Sequence, residues 1–304
     1  MKKIKIGIPR AMQYYQYGLL WKNFFEGLNC NVILSPKTNR KIISVGRNNS
    51  IEETCLSYKI YIGHVIELKD KCDYIIVSQQ IITQSKAKIC PIFNAIYDHL
   101  KYLIPKEKII VIQTDSHNNY LQFIQLIKLG FKFSKNPIKV ICSYIVASKK
   151  QYKYHQEKIA EQKNKMLKHN QKVLIISQFY NLHDNYISSY ITDYLKQSDI
   201  IPIYSDYLDS KTAINFSEYF PAKIYLKNAK KMVGSLYYYE NQISGVIYIS
   251  TNNCEINSII SILVNSKIKQ KPIVYLLVDE TTNELSLETK LESFISIIKG
   301  ESNE

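Results

Sequence analysis

Short runs of apolar residues alternate along most of the chain with longer segments in which apolar residues recur every three or four positions. The short runs are typical of buried strands, and the longer segments are typical of amphipathic helices. A strand followed by a helix, repeated along a chain, favours parallel sheets covered by helices on both faces. The strands predicted in this way are residues 3–8, 32–34, 73–78, 108–113, 172–177, 200–204, 245–250 and 272–278.

A long polar segment rich in helix-forming residues, 152–169, interrupts this alternation and is predicted to be an exposed helix between two domains. We therefore expect an α/β protein with two Rossmann-like domains, residues 1–150 and 151–304, each with a mainly parallel sheet. Helices are also predicted over 119–129, ended by Gly130, and over 220–240. Thr38 is predicted to cap the helix that follows it, and residues 79–88 are predicted to form a polar loop.

Composition and charge narrow the class of protein. With 304 residues and 46% apolar residues, the chain is large enough for two cores. No apolar run approaches the roughly 18 residues of a membrane span. The six cysteines, without a signal peptide before them, indicate a reducing, cytoplasmic setting. The net charge of +14 is consistent with nucleic-acid binding. Because the lysines are spread along the chain, we rank nucleic-acid binding below the two functional hypotheses that follow from the cysteines.

Three of the cysteines, Cys55, Cys90 and Cys254, lie at the predicted starts of helices. Cys254 stands between a predicted buried strand and a predicted helix, which in a parallel sheet is the edge where ligands bind. A helix N-terminus carries positive partial charge and favours the thiolate form of a cysteine. The alternative for each is a small buried side chain. That alternative is what we expect for the other three cysteines, Cys30, Cys72 and Cys142.

Three thiolates from distant parts of a chain could hold a 4Fe–4S cluster with one iron free of protein ligands. They could also hold zinc with one open coordination position. Because the chain contains no C-x-x-C pair, the spacing does not decide between them. His64 is a candidate polar group near this site, or else a core histidine. The sequence has no glycine-rich phosphate-binding motif, so any ATP hydrolysis is expected to be done by a partner.

Several short motifs together resemble the acyl-CoA dehydratase activase-related proteins. That family is similar to the small-subunit (D-component) proteins of 2-hydroxyacyl-CoA dehydratases and benzoyl-CoA reductases. The resemblance runs in order through nearly the whole chain. Its motifs are Ile8-Pro9-Arg10-Ala11, Leu20-Trp21-Lys22-Asn23-Phe24-Phe25, Ser35-Pro36-Lys37-Thr38-Asn39, Glu53-Thr54-Cys55-Leu56, Gly63-His64-Val65, Cys90-Pro91, Tyr180-Asn181-Leu182-His183-Asp184, Gly245-Val246-Ile247-Tyr248 and Asp279-Glu280-Thr281-Thr282.

The resemblance implies paired α/β domains with a 4Fe–4S cluster between them, held by Cys55, Cys90 and Cys254. It also implies low-potential electron transfer or reduction, with an electron supplied by an ATP-hydrolysing activator protein. An acyl-CoA or another small molecule is the implied substrate of such a lyase or reductase system, and a homo- or heterodimer is a further expectation. The competing hypothesis is a degenerate, non-catalytic relative that binds a partner and holds zinc or no metal.

Overall fold

The computed structural model describes residues 3–81, 90–115, 119–221, 224–267 and 271–300. The chain divides into two compact units, which we call unit 1 (Met1–His155) and unit 2 (Gln156–Glu304). Each unit contains a four-stranded sheet, and every pair of neighbouring strands in both sheets is parallel. The α/β class predicted from the alternation of strands and helices is therefore confirmed.

Unit 1 begins with a strand that is paired on both sides and ends within a long helix that contains the boundary between the units. Its elements in chain order are β1 (Lys5–Ile8), α1 (Tyr14–Gly27), β2 (Asn31–Leu34), α2 (Arg40–Asn48), α3 (Leu56–Leu68), β3 (Tyr74–Ile81), α4 (Pro91–Asn94), α5 (Ile96–Leu103), β4 (Ile109–Asp115), α6 (Asn119–Phe133) and α7 (Pro137–Met166).

Unit 2 repeats this alternation after the end of α7. Its elements are β5 (Lys172–Ile176), α8 (Phe179–His183), α9 (Asn185–Gln197), β6 (Ile201–Tyr204), α10 (Ser210–Ser217), α11 (Lys227–Tyr239), β7 (Gly245–Thr251), α12 (Glu255–Lys267), β8 (Ile273–Val278) and α13 (Glu284–Lys299).

The two sheets are wound in the same way. The strand order is β2-β1-β3-β4 in unit 1 and β6-β5-β7-β8 in unit 2. In each sheet the first connection leads to one side of the first strand, and the second connection crosses back to its other side. The first and third strands are therefore the point where the winding changes direction, and open α/β sheets bind ligands at this point. No repeat is evident in the sequence, so the similarity of the two units lies in their topology.

The second connection of each unit contains a pair of helices in close contact. A Cβ atom at Gly46 in α2 would lie 1.8 Å from the carbonyl oxygen of Lys59 in α3. In unit 2, a Cβ atom at Gly234 in α11 would lie 1.7 Å from the carbonyl oxygen of Ala213 in α10. Only glycine lets the two helix backbones approach this closely.

Each unit has a core of its own. In unit 1, Ile6 and Ile8 of β1 pack with the buried aromatic rings of Phe24 and Phe25 in α1. Phe25 also meets Phe133 of α6 edge to face, with the ring centroids 5.6 Å apart. In unit 2, the fully buried residues Tyr248, Leu236, Ile260 and Val264 join β7 to α11 and α12. These buried apolar positions produce the alternation of strand and helix patterns from which the fold class was predicted.

Two predicted helices differ from the structure. The helix predicted over 220–240 is present as α11, but it begins later than predicted, at Lys227, and ends at Tyr239. The helix predicted to end at Gly130 continues to Phe133. A Cβ atom at Gly130 would lie 2.6 Å from a methyl group of Val140, so this glycine makes room for α7 instead of ending α6.

Other boundaries shift by a few residues. The long polar helix begins at Pro137, before the predicted 152–169, and ends at Met166. The N-cap of α2 is Asn39, whose side chain accepts a hydrogen bond from the N–H of Ile42, so Thr38 was the wrong choice. Strand β3 extends to Ile81 into the predicted polar loop, and residues 82–88 of that loop lie outside the described residues.

Candidate functional site

Cys55 lies at the carboxyl edge of the sheet in unit 1. It is the N-cap residue of α3 and is buried. Helix α3 leads into β3 and therefore runs against the strand direction. Two contacts fix this direction: the hydroxyl of Tyr61 accepts a hydrogen bond from the N–H of Ser78 in β3, and the ammonium of Lys108 donates to the carbonyl of Lys69 beyond the C-terminus of α3. The N-terminus of α3 is thus at the edge where ligands bind.

Cys90 lies at the same edge of unit 1. It is the N-cap residue of α4, it has an extended backbone, and Pro91 occupies the first helical position as predicted. The side-chain amide of Gln79, near the end of β3, donates a hydrogen bond of 2.7 Å to the carbonyl of Asn94. This contact holds the short helix against the carboxyl end of β3. Cys90 is half-buried.

A tyrosine and a histidine join the helices that follow the two cysteines. The hydroxyl of Tyr58 lies 2.6 Å from Nδ1 of His99 in α5, and the two rings stack with centroids 5.8 Å apart. Burial raises the pKa of Tyr58 to about 12, and the neighbouring Cys55 thiol adds to this shift. The sequence analysis missed this pair, because a tyrosine one turn after the cysteine carries no signal of its own.

Cys254 follows β7 in unit 2, directly before the first residue of α12. Its N–H donates to the carbonyl of Thr251, and its carbonyl accepts from the N–H of Ser258, so it occupies the N-terminal turn of the helix. Burial raises the pKa of Tyr248, and the Cys254 thiol contributes to this shift. Cys254 therefore follows the third strand of its sheet, as Cys90 does in unit 1.

Two buried polar side chains next to Cys254 have no hydrogen-bond partner. Thr251 is 1% exposed and Asn257 is fully buried. The hydroxyl of Thr251 and both polar atoms of the Asn257 amide are without a partner. Buried polar groups are normally satisfied by protein, water or an ion, so this junction of strand and helix has hydrogen-bonding capacity to offer a ligand.

The other three cysteines fall into two groups. Cys30 and Cys72 are buried as expected, and burial raises the pKa of both thiols. Cys142 is exposed, which contradicts the expectation that it is buried. The apolar run around it belongs to α7, and on that helix Val140 and Ala147 face the core while Cys142 lies on the outer face. Each of the six cysteines is a thiol and not half of a disulfide.

His64 is a fully buried residue of α3 with both ring nitrogens engaged. Its Nδ1 lies 2.8 Å from the hydroxyl of Ser35, and its Nε2 lies 3.0 Å from the hydroxyl of Thr38. Burial, together with the charge of Arg10, lowers the pKa of His64 to about 3. The ring is therefore neutral at physiological pH and ties the segment after β2 to α3. Its role beside a metal centre stays a prediction.

Residues 5–208, about two thirds of the chain, match the model of a protein family described as CoA enzyme activase uncharacterised domain (DUF2229). The chain belongs to this family. The residues that match this family model include Cys55 and Cys90, whereas Cys254 lies beyond them. No curated protein matches the chain.

One solved structure that aligns with this CoA enzyme activase-related protein is that of the SBP FpvC from P. aeruginosa in complex with a Ni²⁺ ion. The two chains are 11% identical over 100% of this chain and 99% of that one, with a TM-score of 0.32. A likeness at this level carries no argument about the ligand.

The described residues of this CoA enzyme activase-related protein contain no group of three or more His, Cys, Asp or Glu side chains placed to hold a metal ion. Cys55 and Cys90 belong to unit 1, and Cys254 belongs to unit 2. The meeting of these thiols at one point therefore stays a prediction. Among the described helices, none is long and apolar enough to cross a membrane.

Proposed function

We propose that this CoA enzyme activase-related protein holds a 4Fe–4S cluster with Cys55, Cys90 and Cys254 and serves low-potential electron transfer in a 2-hydroxyacyl-CoA dehydratase-type system. The observation that supports this most directly is the matching position of two cysteines. Cys90 and Cys254 each follow the third strand of a sheet with the same winding, and each stands at the start of the next helix. The carboxyl ends of these strands are where such sheets bind ligands.

The donor set fits an iron–sulfur cluster. All three ligands are thiols, which are the ligands that iron–sulfur clusters take from proteins. Each lies at a helix N-terminus, where the positive end of the helix dipole favours an anionic group. Three protein ligands leave one iron to bind a substrate oxygen when the cluster is present. Near Cys254, the unpartnered side chains of Thr251 and Asn257 can donate hydrogen bonds to cluster sulfur or to a bound substrate.

The proposed partner is a separate ATP-hydrolysing activator protein, and the proposed substrate class is an acyl-CoA. The family description names CoA enzyme activases, and the sequence has no glycine-rich phosphate loop of its own. We therefore expect the isolated protein not to bind ATP in the micromolar range by calorimetry. Tight ATP binding to the isolated chain would contradict the need for such a partner.

Anaerobic reconstitution with iron and sulfide tests the cluster. We expect a brown protein with absorbance near about 400 nm and bound iron and acid-labile sulfide in equal amounts. Serine variants at Cys55, Cys90 and Cys254 should each lose most of the iron. The matched control is Cys142→Ser, which removes an exposed thiol of α7 and should keep the full iron content.

The variants also separate the alternatives. If Cys254→Ser retains the cluster while the two unit 1 variants lose it, the ligands come from unit 1 alone and the three-cysteine site is wrong. A colourless protein that binds one zinc ion per chain would favour the degenerate, partner-binding relative instead. A protein that binds neither would overturn both metal assignments.

A further inference from the structure

We infer that unit 1 also binds an oxyanion, a phosphate or carboxylate group, at the N-terminus of α1, where Arg10 and Gln13 present hydrogen-bond donors that have no partner. These two residues lie in the segment between β1 and α1. This segment leaves the carboxyl end of β1 beside β3, where the winding of the sheet changes direction. The position is the usual ligand site of an open α/β sheet.

Arg10 carries a charge without a counter-ion. Its Nε atom is buried and has no hydrogen-bond partner, and no carboxylate within the described residues pairs with its guanidinium. The charge of Arg10 acts on His64 and on Tyr14, which are both neutral at physiological pH and cannot compensate it. A partly buried charge without a partner costs stability. Binding of an anion would remove that cost.

The backbone at Arg10 is held in place from both sides. Its N–H donates a hydrogen bond of 2.7 Å to the hydroxyl of Ser35, and its carbonyl accepts one of 3.1 Å from the hydroxyl of Tyr15. Because Ser35 is in turn bonded to His64, the segment after β1 is tied to β2 and α3. A left-handed backbone at Met12, with φ of 51°, then turns the chain into α1. The backbone that carries the Arg10 side chain is thus fixed before any ligand arrives.

Gln13 supplies the second observation. It is the N-cap residue of α1, only 3% of it is exposed, and its side chain makes no capping hydrogen bond. Its Nε2 atom is buried and has no partner. The first N–H groups of α1, those of Tyr14 and Tyr15, already bond to carbonyls of the segment before the helix. The hydrogen-bond donors left for a ligand at this end of α1 are therefore side chains. The positive end of the dipole of this 14-residue helix adds to the attraction for an anion.

The chemistry of these donors selects an anion. An amide N–H and a guanidinium can only donate, so the ligand must supply several acceptor oxygens and negative charge. The chain has three arginines among its 40 basic residues, and the planar fork of a guanidinium suits phosphate and carboxylate oxygens better than an ammonium does. The other two arginines, Arg40 and Arg47, are exposed residues of α2.

The test uses the full-length protein with inorganic phosphate and acetate as probes, and chloride at equal ionic strength as the control. Thermal unfolding and calorimetric titration measure binding, since a ligand that binds only the folded state raises the unfolding midpoint. We expect Arg10→Met to weaken phosphate or acetate binding about tenfold or more. In ligand-free buffer its midpoint should equal or exceed that of the wild type, because an uncompensated charge has been removed. Arg40→Met makes the same charge change on α2 and should bind as the wild type does.

Further variants keep the proposal open to refutation. Gln13→Leu should weaken binding without changing the net charge, so it covers the case in which Arg10→Met does not fold. Serine at Cys55 or Cys90 should leave oxyanion binding unchanged, because this site does not depend on the proposed cluster. The comparison of phosphate with acetate identifies the class of ligand. A wild-type protein that responds to phosphate and acetate only as it does to chloride, or equal losses in the Arg10 and Arg40 variants, would overturn the assignment.

Discussion

At the scale of single residues, the buried histidine of α3 makes folding depend on pH. The pKa of His64 is lowered from 6.5 to about 3 in the folded protein, mainly by burial. Between these values the unfolded chain binds a proton that the folded protein excludes. The contribution of the neutral His64 ring to the free energy of unfolding is therefore fully present above about pH 6.5. It falls as the pH decreases, by at most about 1.4 kcal/mol per pH unit.

We expect His64→Gln to flatten this slope between about pH 6.5 and pH 4.5, even though it lowers overall stability by disturbing the bonds to Ser35 and Thr38. Urea unfolding at a series of pH values measures the slope. His169→Gln, at an exposed histidine after α7, is the control and should keep the wild-type slope. Equal slopes for His64→Gln and the wild type would show that this histidine titrates normally.

Thiol reactivity is a second prediction at this scale. Cys142 is exposed on α7, whereas Cys30 and Cys72 are buried and burial raises the pKa of their thiols. Because the thiolate is the reactive form, we expect iodoacetamide to modify Cys142 well before Cys30 or Cys72 in the native protein. Peptide mapping by mass spectrometry reads out the order. Protein unfolded in denaturant is the control, and there all of these thiols should react. Early modification of Cys72 in the native state would contradict the packing around it.

The residues of the candidate site were only partly predictable. Cys55, Cys90 and Cys254 could be placed at helix starts because apolar periodicity reveals where a helix follows a strand. The hydrogen bond between Tyr58 and His99 joins side chains 41 residues apart, and no local pattern encodes such a contact. Arg10 was visible in the sequence beside a chain-breaking proline, but its lack of a counter-ion depends on what surrounds it in three dimensions.

At the scale of secondary-structure elements, two helix pairs depend on glycine. We expect Gly46→Ala to destabilise unit 1 by about 1–3 kcal/mol or more, because the new methyl group would lie 1.8 Å from the Lys59 carbonyl oxygen. The higher helix propensity of alanine, about 1 kcal/mol, works in the opposite direction and should not compensate. Chemical denaturation measures the change. The control Ser44→Ala, at an exposed position of the same helix, should stay within about 0.5 kcal/mol of the wild type. An unchanged stability of Gly46→Ala would mean that α2 and α3 are farther apart.

The strands were easier to predict than the ends of the helices. Buried parallel strands are nearly continuous apolar runs, as in β7 and β5, so composition alone identifies them. Gly130 and Gly46 show the reason for the difference. Both glycines make room for a neighbouring helix, although a glycine in a sequence can equally mark the end of a helix. The start of the helix predicted over 220–240 was placed too early, because aromatic and basic residues also occur in the connection before α11.

At the scale of the whole molecule, each sheet has its own core. Phe24→Ala in unit 1 should cost about 3–5 kcal/mol and Leu236→Ala in unit 2 about 2–5 kcal/mol. Because neither side chain belongs to the core of the other unit, hydrogen exchange should increase mainly among the sheet amides of the mutated unit. Mass spectrometry of exchanged peptides from β3 and β7 gives the comparison. Equal acceleration in both peptides with either variant would indicate a single cooperative structure.

The shared winding of the two sheets offers an engineering opportunity. Cys55 caps α3, the helix that leads into the third strand of unit 1, and the corresponding N-cap residue in unit 2 is Leu226, before α11. A Leu226→Cys substitution would give unit 2 the same pair of capping thiols that unit 1 already has. Such a variant would be a symmetrised scaffold, in which both units present two thiols at the helix starts that flank the third strand of the sheet.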